Sequence, residues 1–118
     1  MKGELSFFEL GVADANRGRE FYGNLFGWDF AEEGSGATIE TPNVPGGLHG
    51  GDEGASPYLF FRVDDLDAAV ARVRELGGEL GDYVSEGNDD PETVARFGRF
   101  VTCKDDQGSS FGLHEPPR

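Results

Sequence analysis

The chain has one cysteine, few basic residues and no long apolar run, and each shortage removes a class of protein. A lone Cys103 allows no internal disulfide and no cysteine-built zinc cluster, and suits a compartment that keeps thiols reduced. No stretch approaches the roughly 18 apolar residues of a membrane span. The start, MKGELSFFELGVAD, carries acidic side chains where a secretory signal would be apolar. A cytoplasmic location is expected, with no membrane as partner. Lys and Arg number 10 against 23 Asp and Glu, a formal charge of −13. Such a surface repels phosphate backbones and anionic lipid, so nucleic acid is not an expected partner; the charge suits solubility, or a cleft that attracts cations. With 118 residues the chain has material for one core, and a single domain over 1–118 is expected.

What the chain does have is a repeat. The segment FFELGVADANRGREFYGNLFGW from Phe7 is matched in kind by YLFFRVDDLDAAVARVRELGGE from Tyr58, 51 positions later. Each begins with strand alternation, reaches Asp14 or Asp65 as a helix cap, and continues with helical spacing to a glycine at 27 or 78. Phe8, Leu10 and Val12 share one strand face, as do Leu59, Phe61 and Val63. The facing helices offer Phe21, Tyr22 and Leu25, then Leu66, Ala69, Val70, Val73 and Leu76, with Gly18 weakening the first helix. Short strands follow at about 28–32, 37–41 and 47–49, then 82–86, 98–104 and 109–114.

The pattern predicts an α+β fold of two βαβββ modules, about 4–50 and 56–115, forming a curved sheet around a cleft. The closing strands GGLHG at 46–50 and FGLHE at 111–115 echo each other with a larger offset of 65. The second module therefore has extra residues, expected as a loop around Gly87-Asn88-Asp89-Asp90-Pro91.

The segments VADANRGREFYGNLFGW, VDDLDAAVARVRELGGEL and GRFVTCKDDQGSSFGLHEP resemble the corresponding parts of the vicinal oxygen chelate superfamily, which includes glyoxalase I, extradiol dioxygenases, fosfomycin-resistance enzymes and bleomycin-resistance proteins. The resemblance spans nearly the whole chain. It implies that a metal-dependent member has one ligand seven residues before each capping Asp and one on the last strand of each module. Those positions hold Phe7, Tyr58, Gly47 and Gly112, none of them a good ligand here. The resemblance therefore implies a metal-free, small-molecule-binding protein of the bleomycin-resistance type. Its ligand would be aromatic or cationic, held in the cleft of a homodimer, with antibiotic sequestration as one use. The alternative is a metal-dependent glyoxalase-like lyase, isomerase or dioxygenase with a divalent metal ion.

Strand alternation then gives the expected cleft lining. Phe7, Glu9 and Gly11 come from the first strand and Tyr58, Phe60 and Arg62 from its counterpart; Arg99, Val101, Cys103, Gly112 and His114 come from the final hairpin, with Lys104 set opposite Ser109, and His49 follows by the repeat. Trp28, at a helix-to-strand junction, is read either as core or as a ring that stacks on ligand. The candidate ligand-binding residues are thus Phe7, Glu9, Trp28, His49, Tyr58, Phe60, Arg62, Val101, Cys103 and His114. Glu9, His49 and His114 each lie two positions past an expected ligand position, so a displaced metal site of two histidines and a carboxylate is a second option. Glu9 is also a candidate general base, or a partner for Arg62. Cys103 has no base near enough along the hairpin to act as a nucleophile.

Overall fold

The computed structural model describes residues 3–33, 36–85 and 89–117. In chain order the elements are β1 (Leu5–Gly11), α1 (Ala15–Phe26), β2 (Asp29–Glu33), β3 (Gly36–Glu40), β4 (Gly46–His49), β5 (Tyr58–Arg62), α2 (Leu66–Glu75), β6 (Glu79–Val84), α3 (Pro91–Phe97), β7 (Arg99–Lys104) and β8 (Ser110–Glu115). They fall into two compact units, residues 7–59 and residues 60–117 joined by 3–6.

In the 7–59 unit the strands run β2-β3-β4-β1, antiparallel except for the parallel pair β4 and β1. In the other unit the order is β6-β7-β8-β5, again antiparallel but for the parallel pair β8 and β5. The chain is α+β and carries the βαβββ pattern twice, as expected, with α3 inserted between β6 and β7.

The even face of β1 packs on α1. Leu10, Ile39 and Leu48 are buried, and Phe8, Val12, Ala15, Tyr22, Trp28 and Phe30 close around them. The Asp14 carboxylate accepts the Arg17 N–H to start α1, and Gly27 ends the helix in the left-handed conformation at φ 72°. Gly18 is the buried residue of α1. A Cβ there would lie 3.0 Å from Val12 Cγ2 and 3.2 Å from Leu48 Cδ1. The row of Gly18 and Tyr22, one turn apart, therefore meets the sheet at close range and turns the neighbouring row outward. Phe21 and Leu25, expected in the core, are 63% and 59% exposed.

In the second unit Leu66, Val101, Cys103 and Leu113 form the buried core, flanked by Val63, Ala69, Val70, Val73, Leu80, Val84 and Phe111. Leu76, expected to join them, follows the last residue of α2 as its cap and is 61% exposed. The β7–β8 register pairs Lys104 with Ser110, Cys103 with Phe111 and Val101 with Leu113. The turn sets it, because the Asp105 N–H donates to the Ser109 carbonyl and the Asp105 carboxylate accepts the N–H groups of Gln107 and Ser109. This is one residue away from the expected pairing of Lys104 with Ser109, and a one-residue slip exchanges the faces of a strand. Val101 and Cys103 consequently lie under α2, on the side opposite to the one expected for them.

Asp89 and Asp90, within the expected loop, lie outside helix and strand, and the helix α3 follows from Pro91. The Asp90 carboxylate accepts the Thr93 N–H, and Pro91 occupies the first turn, where its missing N–H costs nothing. Gly87, Asn88 and Glu86, part of the expected loop and strand, lie outside the described residues. β6 starts at Glu79, earlier than expected, and its pairing with β7 shifts between Leu80 and Val84. Side chains cover the shift: Thr102 Oγ1 accepts the Tyr83 N–H at 3.1 Å and Ser85 Oγ accepts the Phe100 N–H at 2.6 Å.

Candidate functional site

The parallel pairing of β1 with β4 sets Glu9 beside Gly47 and Gly11 beside His49. Glu9 and His49 thus share the face turned away from Leu10 and Leu48. Gly47 makes room for Glu9: a Cβ on Gly47 would overlap the Glu9 carboxylate. Gly11 does the same for Asp52 and the His49 ring. The chain after β4 is pinned by the Asp52 N–H to the Val12 carbonyl at 2.9 Å, after a left-handed Gly51 at φ 69°.

Four side chains then join in a row. His49 Nδ1 is 2.6 Å from Glu9 Oε2, and His49 Nε2 is 2.8 Å from Asp52 Oδ2. The Tyr58 hydroxyl donates to the same Asp52 oxygen at 2.8 Å, and its ring lies 6.0 Å from the imidazole. Burial alone would lower the pKa of His49, but its hydrogen bonds to Glu9 and Asp52, with their charges, outweigh burial and hold it above the ordinary histidine value. The hydrogen bond from His49 lowers Asp52, and the bond to Asp52 raises Tyr58. With His49 protonated, the row is an imidazolium between two carboxylates, with one net negative charge and an exposed phenol at its end.

The second unit arranges the corresponding face differently. Phe60 pairs with Gly112, and a Cβ on Gly112 would overlap the Phe60 ring. Phe60 meets Phe100 edge-to-face at 5.1 Å, and Phe100 stacks on His114 at 4.2 Å. The Ser6 hydroxyl donates to His114 Nδ1 at 2.6 Å, and His114 Nε2–H donates to the Phe97 carbonyl at 2.7 Å. Burial and the nearby Arg62 charge lower the pKa of His114, outweighing the raising effect of the Phe97 bond and Glu115. His114 is therefore a neutral, 5% exposed histidine near neutral pH.

Of the expected residues, Glu9, His49 and Tyr58 meet directly, while Phe60, Arg62 and His114 gather in the other unit. Phe7 is buried. Val101 and Cys103 belong to the helix-side core, and burial pushes the Cys103 thiol up, away from thiolate chemistry. Trp28 packs among Phe8, Tyr22 and Phe26, with ring centroids 5.6, 6.1 and 4.6 Å away, which is the core option. The sequence reading missed Asp52 and Ser6. The spacing of Asp52, three residues after His49, was the available signal; Ser6 left none, since its partner is 108 positions away.

The residues present do not fit a divalent metal held as the resemblance implies. At the last-strand positions Gly47 and Gly112 offer no donor, and Glu9 and the Phe60 ring fill the space of their missing side chains. Both ring nitrogens of His49 face different carboxylates, and both of His114 are engaged by Ser6 and Phe97, so neither imidazole has a lone pair to offer. Among the described residues, no group of three or more His, Cys, Asp or Glu is arranged to hold a metal ion.

Two modules in which the last strand returns parallel beside the first define the vicinal oxygen chelate scaffold. The chain matches the glyoxalase-like domain over residues 7–114 and belongs to that family. A glyoxylase-like domain-containing protein of Didymella fabae is 29% identical over 102 residues, covering 74% of this chain and 79% of that protein. The anthracycline biosynthesis protein DnrV of Streptomyces peucetius is 28% identical over 134 residues, covering 94% of this chain but 46% of that protein, so this chain spans less than half of it. Methylmalonyl-CoA epimerase from Mycobacterium tuberculosis superposes with a TM-score of 0.66 at 24% identity, covering 98% of this chain and 89% of that one. Homoprotocatechuate 2,3-dioxygenase from Brevibacterium fuscum, solved with 3,4-dihydroxyphenylacetate, gives a TM-score of 0.65 at 21% identity over 98% of this chain and 37% of its own. At these identities the solved structures establish the fold alone. No helix among the described residues is long and apolar enough to cross a membrane.

Proposed function

We propose that the chain is a small-molecule-binding protein that works without a bound metal ion and takes an aromatic or cationic ligand, with antibiotic sequestration as its use. The observation that carries this reading is the row Glu9, His49, Asp52 and Tyr58. It combines a net negative charge with an exposed aromatic ring and lies on the face of β1 and β4 away from the core. A cation gains from the two carboxylates, and a flat ring gains from Tyr58. The name of DnrV ties one relative to anthracycline biosynthesis. An anthracycline, a polycyclic aromatic bearing an ammonium group, is therefore a suitable probe. The protein is proposed to act in the cytoplasm as a homodimer, which would cover the edges of β2 and β6, the strands that end their sheets.

Thermal shift and calorimetry with an anthracycline and with benzylamine test the reading. A ligand at a hundred times its Kd raises stability by about 2.7 kcal/mol. Binding that weakens in both Glu9→Gln and Asp52→Asn supports the proposal. Metal analysis tests the enzyme alternative: a stoichiometric divalent ion that disappears on substituting His49 or His114 would overturn the metal-free reading. Elution as a monomer at micromolar concentration would remove the dimer from it.

A further inference from the structure

The Arg62 side-chain Nε has no acceptor among the described residues. The backbone of Arg62 is fixed on both sides: its N–H donates to the Glu4 carbonyl and its carbonyl accepts the Gly3 N–H, each at 2.8 Å, and it pairs with His114 across β5 and β8. Its side-chain Nε is nevertheless buried with no hydrogen-bond partner among the described residues. Other arginines find carboxylates even at the surface: Arg19 meets Glu32 at 3.2 Å, Arg72 meets Glu75 at 3.8 Å and Arg99 meets Asp67 at 2.9 Å. The acid next along β8, Glu115, is committed elsewhere, accepting the Leu66 N–H at 2.9 Å and lying 3.7 Å from Arg99. In so acidic a chain, an arginine Nε buried with no acceptor among the described residues is a costly arrangement for the fold alone, because a buried donor gives up its water without replacement.

We infer that Arg62 anchors an anion subsite that takes the carboxylate of a small organic acid. The Nε–H of a guanidinium and the adjacent Nη–H are parallel and match the two oxygens of a carboxylate. The neighbourhood suits a negative guest. His114 beside it holds its ring by Ser6 and Phe97 and brings no negative charge. Phe60, two residues before Arg62 on the same face of β5, and Phe100, stacked on His114, give this face apolar surface that weakens the competition from water. This subsite lies in the unit of residues 60–117 and is independent of the Glu9, His49, Asp52 and Tyr58 row.

The test is a titration of the full chain with benzoate, followed by the Nε–H resonances of its arginines in 15N–1H spectra. The expected result is a saturable downfield movement of the Arg62 resonance. Arg62→Lys, which keeps the charge but not the fork, should lose roughly tenfold or more in affinity, and Arg62→Gln should not bind. An Arg62 resonance unmoved at roughly 50 mM benzoate, about the weakest binding such a site could show, overturns the assignment. So does benzoate binding unchanged in folded Arg62→Gln. Should that variant fail to fold, the movement of the Arg62 resonance in the unaltered chain decides alone.

Discussion

His49 and His114 occupy equivalent places at the ends of β4 and β8, yet their surroundings pull them in opposite directions. His49 is held between two carboxylates with its pKa above 6.5, and His114 is buried beside Arg62 with its pKa below 6.5. A histidine raised on folding contributes stability that is complete below pH 6.5 and is lost as the pH climbs through the folded value. For His114 the sign is reversed. Below pH 6.5 the unfolded chain takes up a proton that folded His114 refuses, so its contribution is present above that pH and fades as the pH falls toward the folded value. An NMR titration of the two rings should give midpoints on opposite sides of 6.5, and Glu9→Gln should bring that of His49 down. Coincident midpoints would refute the clamp. Gly47→Ala tests the same geometry from beneath, because its Cβ overlaps the Glu9 carboxylate. Because the carboxylate ends a flexible side chain that can swing aside, the expected loss in chemical denaturation is only about 0–1 kcal/mol, with a lower His49 midpoint as Glu9 is displaced. The repeat made Glu9, His49 and Tyr58 legible in the sequence because they sit on strands with fixed alternation. Asp52 was not, because its position depends on a loop held by backbone bonds to Val12 and Ala13.

At the level of elements, sequence patterns located both modules but mistook which rows and faces they bury. Helical spacing alone could not choose between the row at 21 and 25 and the row at 18 and 22. The choice was made by Gly18, whose absent side chain lets α1 approach Val12 and Leu48. Gly18→Ala is accordingly a discriminating change. Helix propensity alone predicts a gain of about 0.8–1.0 kcal/mol. Leu48 is 1% exposed and cannot yield, so the expected outcome is a net loss of about 1 kcal/mol; a higher melting temperature would contradict the close approach. The β7–β8 faces were misread for a different reason: the turn at 105–109 is one residue longer than the pattern suggests, and Asp105 fixes that length through backbone bonds. Ser85 shows the same dependence on a single side chain. It is fully buried and accepts the Phe100 N–H where the β6–β7 ladder is irregular. Ser85→Ala leaves that N–H unsatisfied and should cost about 1–3 kcal/mol, while Ser85→Thr, which retains the acceptor, should cost less if the extra methyl is accommodated.

At the level of the whole chain, duplication and charge were both readable from the start, because neither depends on side-chain orientation. The 13 uncompensated negative charges have a physical consequence apart from any ligand. Like charges held on a compact surface repel more than on an expanded chain, so folding works against them. Raising salt from 0.01 M to 1 M shortens the Debye length from about 30 Å to about 3 Å. Two opposing effects then compete. Screening relieves the net repulsion, and it also weakens exposed ion pairs such as Arg19 with Glu32 and Arg72 with Glu75. Exposed pairs are each worth only about 0–1 kcal/mol, and ten basic residues cannot neutralise 23 acidic ones. Relief of repulsion should win. The melting temperature is expected to rise by roughly 4 °C or more across this range in potassium chloride, equivalent to about 1 kcal/mol for a domain of this size. Chloride is the right choice of anion, since sulfate would also strengthen apolar burial and confuse the result. A flat or falling melting temperature would mean that the acidic residues are balanced locally, and the case for a cation-attracting surface would lose its electrostatic basis.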